Sequence, residues 1–398
     1  MINPSINGWI EKFFSENNSN FIAYSGNYNS FYKDTRNSGF IYGYVVSLNL
    51  KSSLDLKGLS HNEITKIALL NAMFSIYRVV KQTHDKEDFI HEINLFYKKI
   101  QHENYNFLNK LLPSGSPVFI LENNLNDRIQ TNNNIISKNF SHIITNALLF
   151  IDVLAFHEYL LSEDLNTKYL KDFELSCIKI VTLAFSIKKT KSNYDELLVK
   201  LFENSLRYTK FKSVENLELE EIPLEKHSFE IEKLYLFDLA QMALWSDEVL
   251  ELNENVFLNK LAKKLTISES NLLESTSTIN IFIKEYKNEI PFFNYSNPVK
   301  HFYDQTNTTV TKLITRNKKR LTKEIVESKE LMVLLAQSTT RELNSEEKKK
   351  IKKQLLDICK SVPSLTIFLL PGGGILLPIL IKYIPQLLPS AFNENLED

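Results

Sequence analysis

The sequence predicts an all-α protein, a multi-helix array ending in an apolar helical segment interrupted by Pro and Gly. Three observations carry this. Apolar residues recur at spacings of three and four along most of the chain, the period of a helix with one buried face. Glycine is scarce, 9 in 398 residues, about 2% against a usual ~7%. Phosphate loops, dinucleotide folds and turn-rich β architectures therefore lack the positive-φ positions they need. No strand pattern is strong; Phe40–Leu50 is β-prone, but one short run makes no sheet.

Hydrophobic residues make up 43% and charged residues 24%, values that support a sizeable core and exclude global disorder and a polytopic membrane protein. Lys+Arg 47 against Asp+Glu 48 gives net −1, so no chain-wide basic field recruits nucleic acid, and no DNA partner is expected. The start, Met1 to Trp9, has neither a basic nor an apolar leader region, and no cleaved secretory signal is expected. Cys177 and Cys359 each sit in a helical pattern beside apolar neighbours. They read as reduced, buried packing residues in a cytoplasmic protein.

The elements follow in order. The first 45 residues hold 11 aromatics, among them Trp9, Phe13, Phe14, Tyr24 and Tyr28, read as core packing of an N-terminal helical segment. Ser60-His61-Asn62-Glu63 has the form of a capping box opening a helix over Ile64 to Val80. A second helix runs from about Lys86, with Phe89, Ile93, Phe96 and Ile100 on one face. Leu112 to Asn134, with Pro113, Gly115, Pro117 and an Asn cluster, reads as a long connection. Ile135 to about Ile187 reads as two long helices, the first apolar almost all round over Ala147–Phe156. Another helix is expected over about Tyr194–Tyr208, and the five glutamates of Val214–Lys226 suggest an acidic linker. Helices resume at Phe229 and run to about Lys287, and a connection around Pro291 and Pro298 leads into the last hundred residues.

Few constellations point to chemistry. His84, Asp88 and His91 at i, i+4 and i+7 would share one helix face within metal-binding reach; a solvated first turn is the other reading. Asp152 and Asp238 lie in otherwise apolar helices, as perturbed carboxylates or as satisfied buried hydrogen-bond partners. No zinc-protease motif, nucleophile elbow or P-loop occurs. No cofactor is expected and the protein reads as non-catalytic.

In Leu234 to Ile267 an apolar helix ends at Asp247, Glu254 follows seven residues on, and a second helix closes with Leu261-Ala262-Lys263-Lys264-Leu265. Asp247, Glu254, Ala262 and Leu265 match the pattern of the tellurite-resistance TerB-like helical module, which this stretch resembles; Glu248 stands where that pattern has Gly. The resemblance implies Asp247 and Glu254 as metal candidates. The other reading is that Asn253 caps the second helix and Glu254 favours its positive end.

At Arg341-Glu342-Leu343-Asn344-Ser345-Glu346-Glu347 a helix is expected to start, with Asn344 as N-cap and Glu347 at the reciprocal position. Ile351, Leu355, Ile358 and Val362 form one apolar stripe, and Lys348, Lys349, Lys350, Lys352 and Lys353 crowd the first turns. Leu365 to Ile381 carries no charge, but those 17 residues would rise only about 25 Å as a helix, short of a ~30 Å bilayer core. Pro371, Gly372, Gly373, Gly374, Pro378 and Pro385 also oppose one uniform helix. A span needing help from neighbours and a broken hairpin in the protein core are both open.

Arg341-x-Leu343, Asp357, Val362-Pro363, Phe368, Pro371, Leu376-Leu377-Pro378, Lys382-Tyr383-Ile384-Pro385 and Leu388-Pro389-Ser390-x-Phe392 together resemble the leucine-zipper–EF-hand transmembrane (LETM) family, in its bacterial, biofilm-associated type. The resemblance implies cation or proton homeostasis at a membrane and a ribosome-binding domain facing the inside; with only Asn393 to Asp398 following Phe392, most of that downstream region is expected to be missing. No EF-hand loop is present. It further implies membrane or partner contact by the five lysines and by Pro371, Pro378, Lys382, Pro385 and Pro389. From His301 to Lys360 there are 14 Lys/Arg and 8 Asp/Glu, a net +6 that leaves −7 elsewhere. Lys312, Arg316, Lys318, Lys319, Arg320 and Lys323 there would suit ribosomal RNA, an anionic membrane or plain solvation.

The expected organisation is therefore an N-terminal helical region (1–213), an acidic linker (214–227), a TerB-like module (228–290) and a LETM-like segment (299–398). The leading expectation is an interaction protein at the cytoplasmic, inner-membrane face with the ribosome as a partner. A membrane cation/proton antiport component, which needs a homo-oligomer, and a soluble metal-dependent enzyme are its rivals.

Overall fold

The structure, a computed structural model, describes residues 2–17, 27–48, 56–102, 115–129, 135–163, 165, 168–188, 206, 217–244, 251–286, 289, 310–362 and 365. Among them are fourteen α-helices and no strand. The chain divides into two compact units. The first comprises Met1–Leu54, Ile64–Asn132 and Ser137–Ser296; the second comprises Asp55–Glu63, Asn133–Ile136 and Asn297–Asp398.

Helices α1 (Trp9–Asn17), α2 (Tyr28–Asn37), α3 (His61–Lys81), α4 (Lys86–His102), α5 (Pro117–Ile129), α6 (Ile135–Ser162) and α7 (Tyr169–Ile187) are followed by α8 (Glu230–Leu244), α9 (Leu252–Lys264) and α10 (Glu269–Tyr286). The first-unit core is unusually aromatic. Phe14 meets Phe74 at 5.1 Å between ring centroids, Phe74 meets Phe89 at 5.0 Å, Phe96 meets Phe156 at 5.3 Å and Phe150 meets Tyr235 at 5.0 Å. Trp9, Phe13 and Phe14 are buried core residues, while Tyr28 is 37% exposed and meets His157 edge-on; Tyr24 lies outside the described residues. Helix α8 packs along α7 and also meets α9 and α10, and nearly all its residues are buried.

Helix α5 corrects the expectation of a long connection over Leu112–Asn134. Pro117 occupies its first position, where a missing N–H costs nothing, and Ser116 Oγ accepts from the Phe119 N–H (3.3 Å). Leu121, Leu125 and Ile129 make a buried stripe. The signal was masked by polar neighbours that are themselves buried and paired. Glu122 accepts from the Gly8 N–H (3.0 Å) and the Ile10 N–H (3.1 Å), capping α1 from another helix. Arg128 forms a bidentate pair with buried Asp152. The β-prone stretch forms a 3-10 turn at Phe40–Tyr42. Gly39 precedes it with φ +80°, and a Cβ there would collide with the Tyr44 carbonyl oxygen. The helix expected over Tyr194–Tyr208 falls almost wholly outside the described residues. In the acidic stretch, residues 217–227 form two 3-10 turns and bury Leu219, Ile222 and Leu224. Lys264 Nζ donates to the Leu219 and Glu220 carbonyls at 2.7 and 3.0 Å.

The second unit is a smaller helical bundle: α11 (310–316), α12 (Lys318–Glu327), α13 (Lys329–Thr340) and α14 (Ser345–Ser361). Its core gathers Val310, Leu313, Leu321, Ile325, Leu331, Leu335, Leu343, Ile351, Leu355, Ile358, Cys359 and Val362. Each fully buried Leu or Ile contributes on the order of 1.5–3 kcal/mol. The capping box at Ser60 forms as expected, the Ser60 N–H donating to Glu63 Oε2 at 2.8 Å. Glu63 also receives both Nη atoms of Arg316, at 3.0 and 2.6 Å.

Two predictions follow from this packing. Glu122→Ala leaves α1 uncapped and should cost about 1–2 kcal/mol in urea unfolding, with Glu122→Gln retaining part of it. His157 is buried with neither ring nitrogen partnered among the described residues, edge-on to Tyr28 and Phe229, and burial pushes its pKa down to about 4. A histidine depressed in the folded state binds its proton more readily once unfolded. Its penalty is therefore absent above pH ~6.5 and grows as pH falls toward about 4. His157→Phe should lose less melting temperature than the parent between pH 7 and 4.5.

Candidate functional site

Helix α14 is built by its own sequence at one end and by the core along its length. Asn344 Oδ1 accepts from the Glu346 and Glu347 N–H groups at 3.0 and 2.9 Å, and Glu347 Oε2 accepts from the Asn344 N–H at 2.9 Å. The two therefore close the expected capping box. Arg341 grips the same carboxylate with both Nη atoms at 2.9 and 2.7 Å and reaches Gln337 Oε1 at 2.6 Å, tying the end of α13 to the start of α14. The Arg341 hydrogen bonds, with the Asn344 N–H, hold the Glu347 carboxyl down to about 2.

The stripe Ile351, Leu355, Ile358 and Val362 is buried as expected, joined by Cys359, whose thiol is pushed up to about 12 by burial. With that face inward, Lys348, Lys349, Lys350, Lys352 and Lys353 are all exposed. They are not equivalent. Lys350 Nζ pairs with Glu330 at 3.0 Å, and Glu330 also accepts from Gln354 at 2.7 Å. Lys348, Lys349, Lys352 and Lys353 have no ion-pair partner among the described residues. They stand as two like-charge pairs at i, i+4, a spacing that repels. The face is cationic, solvated and held on a rigid helix, suited to an extended anion rather than to bond chemistry. Pro371, Pro378, Lys382, Pro385 and Pro389 lie outside the described residues.

The metal candidates separate. His84, Asp88 and His91 are exposed, but His84 precedes α4. Asp85 caps that helix through the Glu87 and Asp88 N–H groups at 2.9 and 3.0 Å, and Asp88 accepts from the Tyr77 hydroxyl. Asp247 lies outside the described residues. Glu254 is buried and accepts from the Glu251 N–H at 2.7 Å in a capping box. Glu251 is thus the N-cap in place of Asn253, because α9 starts two residues earlier than the Asn reading requires. Among the described residues no group of three or more His, Cys, Asp or Glu could hold a metal.

Asp238 is wholly enclosed, accepting from the Tyr32 hydroxyl at 2.6 Å and from Ser275, with Arg36 at 3.7 Å. Burial raises its pKa against the pull of Arg36. Ser176, His227 and Asp172 look like a hydrolase triad but are not wired as one. Ser176 Oγ reaches both the Asp172 carbonyl oxygen (3.1 Å) and His227 Nε2 (2.9 Å), and the Asp172 carboxylate holds Lys226 instead of the imidazole. Sequence reasoning missed the Arg316–Glu63 and Arg128–Asp152 pairs; unlike charges separated by whole helices leave no local signal.

Residues 343–398 match the family described as LETM1-like, RBD. The match covers roughly a seventh of the chain and contains the whole of α14. It overlaps the residues that carry the LETM resemblance, Arg341 to Phe392. No curated protein and no solved structure matches the chain. Among the described residues no helix is long and apolar enough to cross a membrane.

Glu347→Gln should weaken both the capping box and the Arg341 fork. Hydrogen exchange of the Asn344 to Lys348 amides should accelerate, while the Leu355 to Cys359 amides stay protected by the core.

Proposed function

We propose that this protein is a non-catalytic, LETM-like interaction protein that binds the ribosome through the exposed lysines of α14, Lys348, Lys349, Lys352 and Lys353. One coincidence carries the reading. The segment that matches a family described as RBD is the segment whose helix displays four exposed cations with no ion pair among the described residues, Asp357 standing one turn from Lys353. Phosphate-rich RNA is the anion such a face suits, since each cation that meets a phosphate releases a condensed counterion. The other side of the helix is committed to the core through Ile351, Leu355 and Ile358, so the contact needs no rearrangement of α14.

In this proposal residues 299–398 carry the contact and 228–290 form the TerB-like module. Pro371, Pro378, Lys382, Pro385 and Pro389 continue the partner or membrane surface. The apolar run Leu365–Ile381 holds the protein at the cytoplasmic face of an anionic membrane, and the role lies in ion homeostasis or stress.

The test is co-sedimentation of the full chain with purified ribosomes through a sucrose cushion. The parent chain should pellet with ribosomes at low salt and release as salt rises. K348E/K349E/K352E/K353E should lose binding by at least about tenfold. A parent chain left in the supernatant, or a variant that pellets equally well, would overturn the reading.

A further inference from the structure

Helix α12 lies outside the matched segment and offers the second charged surface of the same bundle. Leu321 and Ile325 are fully buried and fix which way the helix faces. Lys318, Lys319, Arg320 and Lys323 are consequently exposed. Lys318, Lys319 and Arg320 have no ion-pair partner among the described residues, although Glu324 stands one turn from Arg320. Lys323 has only a loose contact with Glu327 at 3.9 Å, with both side chains largely solvated. Lys319 and Lys323 form a like-charge pair at i, i+4, the arrangement that α14 shows twice. Such pairs oppose the helix that carries them, and the apolar core holds α12 helical in spite of them.

The same basic stretch holds two cations with other duties. Lys312 Nζ donates to the Leu59 carbonyl at 3.4 Å, and Arg316 is locked on Glu63. The structure thus divides a run of six basic residues into two that brace the bundle and four that face solvent.

We propose that Lys318, Lys319, Arg320 and Lys323 form a second RNA-phosphate contact, rigidly joined to the α14 face through the shared core of Leu321, Ile325, Ile351 and Leu355. This rests on the ribosome-binding reading and extends its surface beyond the matched residues. An anionic bilayer shares the phosphate chemistry but fits α12 less well. The apolar face of α12 is enclosed, and Val326, 38% exposed, is its one exposed large hydrophobic residue. Nothing else on it could enter the acyl region, whereas an RNA backbone needs charge alone.

The experiment measures binding of the full chain to a fluorescein-labelled RNA hairpin across a salt series, and in parallel to phosphatidylglycerol vesicles and intact ribosomes. K318Q/K319Q/R320Q should weaken hairpin binding about tenfold and flatten the log–log salt dependence by about 2. The charge-conserving K318R/K319R should bind like the parent, and circular dichroism should be unchanged in both. Unchanged hairpin affinity and slope in the Gln variant overturn the α12 contact even if the α14 variant fails on ribosomes. Loss on vesicles but not on the hairpin assigns α12 to the bilayer and overturns it equally. Loss on the hairpin with no parental binding to ribosomes keeps the α12 contact and rejects the ribosome reading. A parent chain that ignores the hairpin rejects the contact outright.

Discussion

Every α-helix starts with backbone N–H groups that have no partner within the helix, and a chain of many helices must answer that demand many times. Here the answers are largely carboxylates. Asp85 caps α4, Glu122 caps α1 from a different helix, and Glu63, Glu254 and Glu347 close capping boxes at the starts of α3, α9 and α14. Glu232 accepts from the Phe229 N–H at the start of α8 while also receiving the Tyr169 hydroxyl. These contacts fix where helices begin and, through Glu122, how helices distant in sequence meet.

The same demand shapes the electrostatics. A carboxylate facing backbone donors is a strong acceptor, and two of the caps have also recruited an arginine, Arg316 on Glu63 and Arg341 on Glu347. In the second unit Glu63 and Glu347 are thereby engaged at helix starts, and Glu330 is engaged with Lys350. The remaining lysines of α12 and α14 project from helices whose opposite faces are locked in the core. Apart from the loose Lys323–Glu327 contact, their charge is displayed to solvent, the feature on which the proposed RNA contact rests. The first unit uses its buried polar groups differently: Asp152 with Arg128, Asp238 with Tyr32 and Ser275, and Ser176 with His227 form closed arrangements within a dense aromatic core.

Sequence patterning alone located α3, α4, α6, α7, the helices after Phe229 and all of α14 with its caps, because each combines a strong apolar period with local capping residues. It missed α5, where Pro, Asn and charged residues hide an apolar stripe whose polar neighbours find partners in other helices. It placed the start of α9 at Asn253 because Asn is the commoner cap, while Glu251 with Glu254 satisfies the same donors from two residues earlier. The lysine cluster was legible as composition, and its orientation followed from the period of Ile351, Leu355 and Ile358.

Helix periodicity, capping boxes and short motifs are local properties, so the all-α class, most helix positions and the LETM-like character of the C-terminal segment were readable from the residues in order. Which charges are available depended on packing. Lys318 and Arg316 lie two residues apart on one basic run, yet one faces solvent and the other grips Glu63. Lys349 and Lys350 are adjacent, yet only Lys350 meets Glu330. An ion pair depends on two side chains brought within a few ångströms by packing, and no spacing along the chain encodes that distance.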